Sequence, residues 1–322
     1  MAKISICLAV LAATLAFSSA APAQDYPSRP IKIVVPYPPG GGMADRMARL
    51  VADKFQAKWG QPVIVDNRAG AGANIGAEYV AKAIPDGYTL LYMEVGPLAV
   101  NKALYTKLAY DPDAFVPVSV MVTSPNVLAV HPKVPAESLQ QFIAFAKANP
   151  DRLNYGSNGS GGGPHLTAEL FKSMAGIKMV HVPYKGVPPA LTDLLAGQVD
   201  VLFVGLATVL QHARAGKLRI LAVGSEKRQP SVPDVPAISE VLPGFVTGSS
   251  FGMVAPPKTP AAIANKLSAA IAESLKQPDV AKLLTDLGLE PVGDTSAEMA
   301  VFLKHESERW GNLIRAIGAK VD

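Results

Sequence analysis

The chain has 322 residues and a formal net charge of +4, and its 49% hydrophobic content is enough for a sizeable buried core. The basic excess is small and scattered, with no basic run interleaved with aromatics, which argues against nucleic-acid binding. Its single cysteine, Cys7, lies so close to the N-terminus that no disulfide, thiolate metal site or cysteine nucleophile is available to the rest of the chain.

Lys3, an uncharged apolar run over residues 7–17 and the small-residue pattern Ala21-Pro22-Ala23 read as a secretory signal peptide cleaved after Ala23. The run is well short of the ~20 residues a membrane span needs. Cys7 stands at the start of the apolar run, far from the cleavage site, and so does not read as a lipoprotein anchor. The expected product is soluble, exported and, without Lys3, carries a net charge of +3. Its length suits two domains.

Strand and helix patterns then alternate. Residues 31–35 form a short β-branched run, 43–59 carry apolar residues at helical period, and 62–65 read as a second strand. A helix over 73–83 ends at the turn Pro85-Asp86-Gly87, and 88–93 read as a third strand. Two β-rich runs follow, 116–122 and 126–130, separated by Ser124-Pro125. A second series comprises helices over 136–148, 166–174 and 188–195 and strands over 153–155, 180–183 and 199–204. Residues 218–223 and 251–255 are later strands. Helices over 260–276, 278–287 and 296–317 close the chain. This alternation predicts a mostly parallel sheet covered by helices. The chain is expected to cross to a second domain near Thr123 and return near Ser249, with the last helices packing on the first domain.

Each half holds one glycine-rich loop between a strand and a helix. The first contains Gly40, Gly41 and Gly42; the second is "GSNGSGGGPH", residues 156–165. The first amides of a helix lack intrahelical partners and carry partial positive charge, and glycines let an anion approach them closely. The alternatives are a tight connection for the first loop and a flexible linker for the second. Neither contains the Gly-Lys-Ser/Thr of a nucleotide-phosphate loop. "GAGANIG", residues 70–76, has the wrong glycine spacing for a dinucleotide fingerprint and reads as a turn into a closely packed helix. "GSSFG", residues 248–252, matches a nucleophile-elbow pattern around Ser250, with Asp294 and His305 downstream. That elbow needs a helix after it, whereas a strand-like segment follows. None of the five histidines has metal-ligand spacing, and only His165 sits in a glycine loop.

The segments "YPSRPIKIVVPYPPGGGMADRMAR", "VIVDNRAGAGANIGAEYVAKAIPDGYTLL", "LNYGSNGSGGGPH", "HVPYKGVPPALTDLLAGQVDVLF" and "FGMVAPPKTPAAIANKL" together resemble the Bug proteins, the periplasmic solute receptors of tripartite tricarboxylate transporters. The resemblance covers essentially the whole chain beyond the leader. It implies an α/β fold of the type II periplasmic binding protein class: two α/β domains on a flytrap hinge, here residues 24–123 with 250–322 and residues 124–249. It implies a periplasmic receptor, not an enzyme, without cofactor or metal. A small carboxylate is held in the cleft between domains, and the receptor is a monomer that engages membrane transporter subunits.

Carried onto this sequence, the resemblance gives ligand contacts at Tyr37, Pro39, Gly40, Gly41, Gly42, Met43 and Asp45 in the first loop. In the second loop it gives Ser157, Asn158, Gly159, Ser160, Gly161, Gly162 and His165. Glu94, Gly96, Asn101, Lys185, Gly205 and Ala207 complete the set. Two positions depart from the family pattern. Met43-Ala44 stands between the glycines and Asp45, and Glu94 lies in a segment that the family often builds from Ser, Thr or Ala. An acid there repels a second ligand carboxylate unless it is protonated, bridged or turned away. Met43 together with Glu94 suits an apolar-bodied ligand or one with a basic or hydroxyl group. A sensor module acting on a membrane signalling protein is the alternative role.

Overall fold

The computed structural model describes residues 26–40, 43–160, 162–318 and 320; the signal-peptide reading and Gly41, Gly42 and Gly161 lie outside them. The first half opens with β1 (Ile31–Val35), α1 (Met43–Trp59), β2 (Val63–Asn67), α2 (Asn74–Ala81), β3 (Thr89–Glu94) and α3 (Gly96–Leu104). A long β4 (Val116–Val130) leads to α4 (Leu139–Ala148), β5 (Asn154–Ser157), α5 (Gly163–Ala175), β6 (Val180–Pro183), α6 (Val187–Leu195), β7 (Val201–Gly205), α7 (Leu206–Arg214) and β8 (Arg219–Val223). The chain returns through β9 (Gly248–Ala255) to α8 (Ala261–Leu275), α9 (Pro278–Asp286), β10 (Glu290–Pro291) and α10 (Ser296–Ile317).

The strands run β2-β1-β3-β9-β4-β7-β5-β6, with β8 and β10 also paired to β4. Pairing is parallel within β1–β2–β3 and within β5–β6–β7, but β9 and β4 are antiparallel to their neighbours. The expected mostly parallel sheet is therefore mixed, since both long strands run against it.

β1 is buried at Ile31, Ile33, Val34 and Val35, the continuous apolar run of a strand covered on both faces. Met47, Val51 and Phe55 recur at helical spacing on α1 and share one core with β1, β9, α8 and α9. In β7 the side chains alternate: Val201 and Phe203 join a core with α4 and α5, while Leu202 and Val204 join one with α6 and α7.

One correction concerns the link between the halves. Residues 116–130 form one strand, not two runs broken at Ser124-Pro125. Pro125 is accommodated because it pairs with Gly248, where an added Cβ would come within 2.9 Å of Ser124 O and 3.3 Å of Pro125 Cα. At Asn126 β4 exchanges its partner β9 for β7, and from Val127 it also pairs with β8. The rejection of the Ser250 elbow agrees with the structure: Ser250 lies within β9, paired with Thr123, and no helix follows it directly.

Candidate ligand-binding site

The first loop leaves β1 at Tyr37 and turns at Gly40, whose φ of 67° suits glycine. Asp45, on the first turn of α1, holds it in place. Its buried carboxylate accepts from Gly40 N (3.0 Å), Asn67 Nδ2 (2.8 Å) and both ends of the Arg49 fork (3.0 and 3.1 Å). Burial raises the pKa of this acid, but those bonds outweigh it and hold the carboxyl below its ordinary range. Asn67 Nδ2 also donates to Tyr37 O at 3.0 Å. Asp45 thus spends its acceptor capacity on the protein. Pro39 and Gly40 are exposed, and Met43 packs against the core.

The second loop follows β5. Ser157 Oγ is buried 2.6 Å from His181 Nε2 and accepts from Gly159 N at 3.1 Å. Behind it, His181 stacks between Tyr155 (centroids 4.9 Å) and His165 (4.3 Å). Tyr155 Oη donates to Glu169 at 2.5 Å, and Glu169 also accepts from Lys172 at 2.6 Å. Burial, aided by the neighbouring His165, pushes His181 down to about 4. Burial likewise lowers His165. His165 therefore sits in an imidazole–phenol stack that shapes the loop.

Both halves contribute walls to a cavity of about 300 Å³. Of the expected contacts, it gathers Tyr37, Glu94, Gly96, Asn101, Asn158, Ser160 and Gly162. Pro39, Gly40, Met43, Asp45, Ser157, Gly159, His165, Lys185, Gly205 and Ala207 are not on its wall. Lys185 is exposed, Gly205 lies against the Ser124 side chain, and Ala207 packs on the first core.

Two helices begin at the cavity from opposite halves. Gly96 opens α3 and Gly163 opens α5, with Gly162 as its N-cap. Above them, Asn158 leans on Gly162, and its buried Oδ1 has no partner among the described residues. Across the cavity, a Cβ built on Gly163 would stand 4.0 Å from Glu94 Oε1. Burial raises the Glu94 pKa, partly opposed by a hydrogen bond from Ser249. Tyr37 is raised too, by burial first and by the Glu94 charge second.

Sequence reasoning missed one wall. Phe302, Glu306 and Trp310 of α10 line the cavity. Their spacing of four places them on one helix face, which is a readable stripe, but nothing local says what it faces. Glu306 accepts from Trp310 Nε1 at 2.7 Å and from Arg309 at 3.4 Å. Asn126 and Thr167, bonded to each other at 2.9 Å, are also new to the site.

A profile described as "Tripartite tricarboxylate transporter family receptor" matches residues 47–319. The chain belongs to this family. It is similar to Rpa4515 of Rhodopseudomonas palustris, solved with adipate: 37% identity, TM-score 0.82, covering 92% of this chain and all of that one. It is also similar to MatC (Rpa3494) of the same organism with bound malate, at 34% identity and TM-score 0.77, covering 90% of this chain and all of that one. The periplasmic binding protein BugD aligns at 31% identity and TM-score 0.78, over 92% of this chain and 99% of BugD. The fold of this receptor family is therefore the α/β fold of periplasmic binding proteins. The family's role is solute binding, not catalysis.

Proposed function

We propose that this receptor captures a small carboxylate in the periplasm, between its two halves, and delivers it to tripartite transporter subunits in the membrane. The observation that carries the reading is the convergence of the α3 and α5 N-termini, one from each half, on a single cavity. Free amides at helix starts are ready anion donors, and their partial charges favour a carboxylate without a basic side chain. Among its described walls the cavity holds no lysine, arginine or histidine. Relatives solved with adipate and malate support the ligand class.

A free carboxylate is strongly hydrated, so the site must replace that water. Hydrogen bonds to a charged group contribute roughly 1.5–3 kcal/mol each. Three or four of them, less ordering costs, reach about −8 kcal/mol, or micromolar affinity. Donors from both halves are needed together, so ligand stabilises the closed arrangement. In this reading residues 124–249 form one lobe and the flanking segments the other, hinged where β4 and β9 run side by side. Calorimetric titration with mono-, di- and hydroxycarboxylates tests it. Heat released by a carboxylate, but not by its methyl ester, supports the reading; equal binding of acid and ester sinks it.

A further inference from the structure

The cavity is unusual in its charge. Its described walls include two carboxylates, Glu94 and Glu306, and no cation. Glu306 is already served by Trp310 Nε1 and Arg309. Glu94 is supported by Ser249, and among the described residues no basic side chain compensates it. Its Oε1 faces the first turn of α5, 4.0 Å from a Cβ built on Gly163. That is one of the two helix starts on which the carboxylate-capture reading relies for the ligand's anionic end, and the present inference rests on that reading.

A ligand carboxylate seated there has a second carboxylate for a neighbour. Two like charges a few ångströms apart in a partly dehydrated cleft repel strongly. A ligand with two acidic ends meets this repulsion wherever its second end turns toward Glu94. A ligand carrying a protonated amine converts the same neighbour into a charge-assisted acceptor. Tyr37, Asn101 and Asn158 on the other walls are neutral and discriminate little between the two.

We infer that Glu94 makes this receptor selective for a zwitterion, one carboxylate plus one protonated amine, with the amine on the Glu94 carboxylate and the carboxylate on the α5 amides. Selectivity then arises by rejection as well as attraction, since an unpaired acid in the site excludes diacids.

The test uses matched pairs of equal chain length: malonate and β-alanine, succinate and 4-aminobutanoate, adipate and 6-aminohexanoate. Each is titrated calorimetrically into the full mature protein and into Glu94→Gln. In at least one pair, the wild type is expected to prefer the amino acid by about tenfold or more, from one charge-assisted bond. Glu94→Gln is expected to erase or invert that preference. A wild type that, in every pair it binds, holds the diacid as tightly as its amino partner overturns the inference while leaving carboxylate capture standing. So does a preference that survives Glu94→Gln. If both proteins bind no member of any pair, carboxylate capture itself fails, and the inference with it. Circular dichroism of Glu94→Gln establishes that the variant is folded.

Discussion

Ser157 Oγ and His181 Nε2 lie 2.6 Å apart, and this bond ties the start of the second glycine loop to the Tyr155–His181–His165 stack. The loop is thereby held from behind by groups that do not reach the cavity wall, and that support depends on neutral imidazoles.

Stability should therefore fall in mild acid. An unfolded histidine titrates near 6.5, whereas His181 is held down to about 4 in the folded protein, with His165 also lowered. Below about 6.5 the unfolded chain gains protons that the folded one refuses, so this contribution is complete above about pH 6.5 and is lost toward pH 4. Glu169 and Lys172 are the charged groups facing the stack. Melting curves between pH 7.5 and 4.5 should show a drop that is smaller in His181→Phe, which keeps a stacking ring without a titrating one. Equal slopes in the two proteins would count against the stack as the source.

Gly163→Leu should separate folding from binding. Its backbone is outside the left-handed region and, among the described residues beyond its chain neighbours and own helix backbone, only Glu94 Oε1 comes within 4 Å of an added Cβ, so the side chain has room at the cost of the ligand. The melting temperature without ligand should not fall, because glycine is a poor helix residue. Affinity for any carboxylate that binds the wild type should drop by about 100-fold or more, since the side chain occupies the anion site. Unchanged affinity by calorimetry would move the site elsewhere.

Asp45→Ala should cost stability on the order of 2–3 kcal/mol, since Gly40 N and Asn67 Nδ2 lose a charged acceptor. The shift in urea midpoint measures this. Asp45→Asn retains one acceptor oxygen and should recover part of the loss; if alanine costs nothing, Asp45 does not pin the first loop.

Binding should depend on pH with a sign set by the ligand. Glu94 titrates above the ordinary carboxylate range, and the other titratable groups on the described wall are Tyr37, Tyr105 and Glu306. A zwitterion uses ionised Glu94, so its affinity should fall as pH drops through that raised value. A diacid is repelled by ionised Glu94, so its affinity should rise over the same interval. Calorimetry at fixed ionic strength from pH 7.5 to 5 reads both slopes, and parallel slopes would contradict a role for Glu94.

Much of the fold was legible because its signals are local. β1 is a buried β-branched run, α1 repeats Met47, Val51 and Phe55 at helical spacing, and both glycine loops sit where a strand gives way to a helix. The continuity of β4 was not legible. Pro125 is a local break signal, overridden by Gly248 from 123 residues away along the chain. The antiparallel sense of β9 and the cavity face of α10 are likewise long-range facts. Within the site, the family resemblance pointed to Asn101 and Asn158, and both line the cavity. It could not show that Asp45 and His165 are turned to the protein itself.

The α10 wall has a consequence for biosynthesis. Both glycine loops and Glu94 precede Phe302, Glu306 and Trp310 by more than a hundred residues along the chain, so the two helix starts are encoded long before the wall that closes over them. The pocket becomes whole only when α10 is laid across it. A chain that stops short of α10 thus lacks one wall of the enclosure that keeps water from competing for the anion donors.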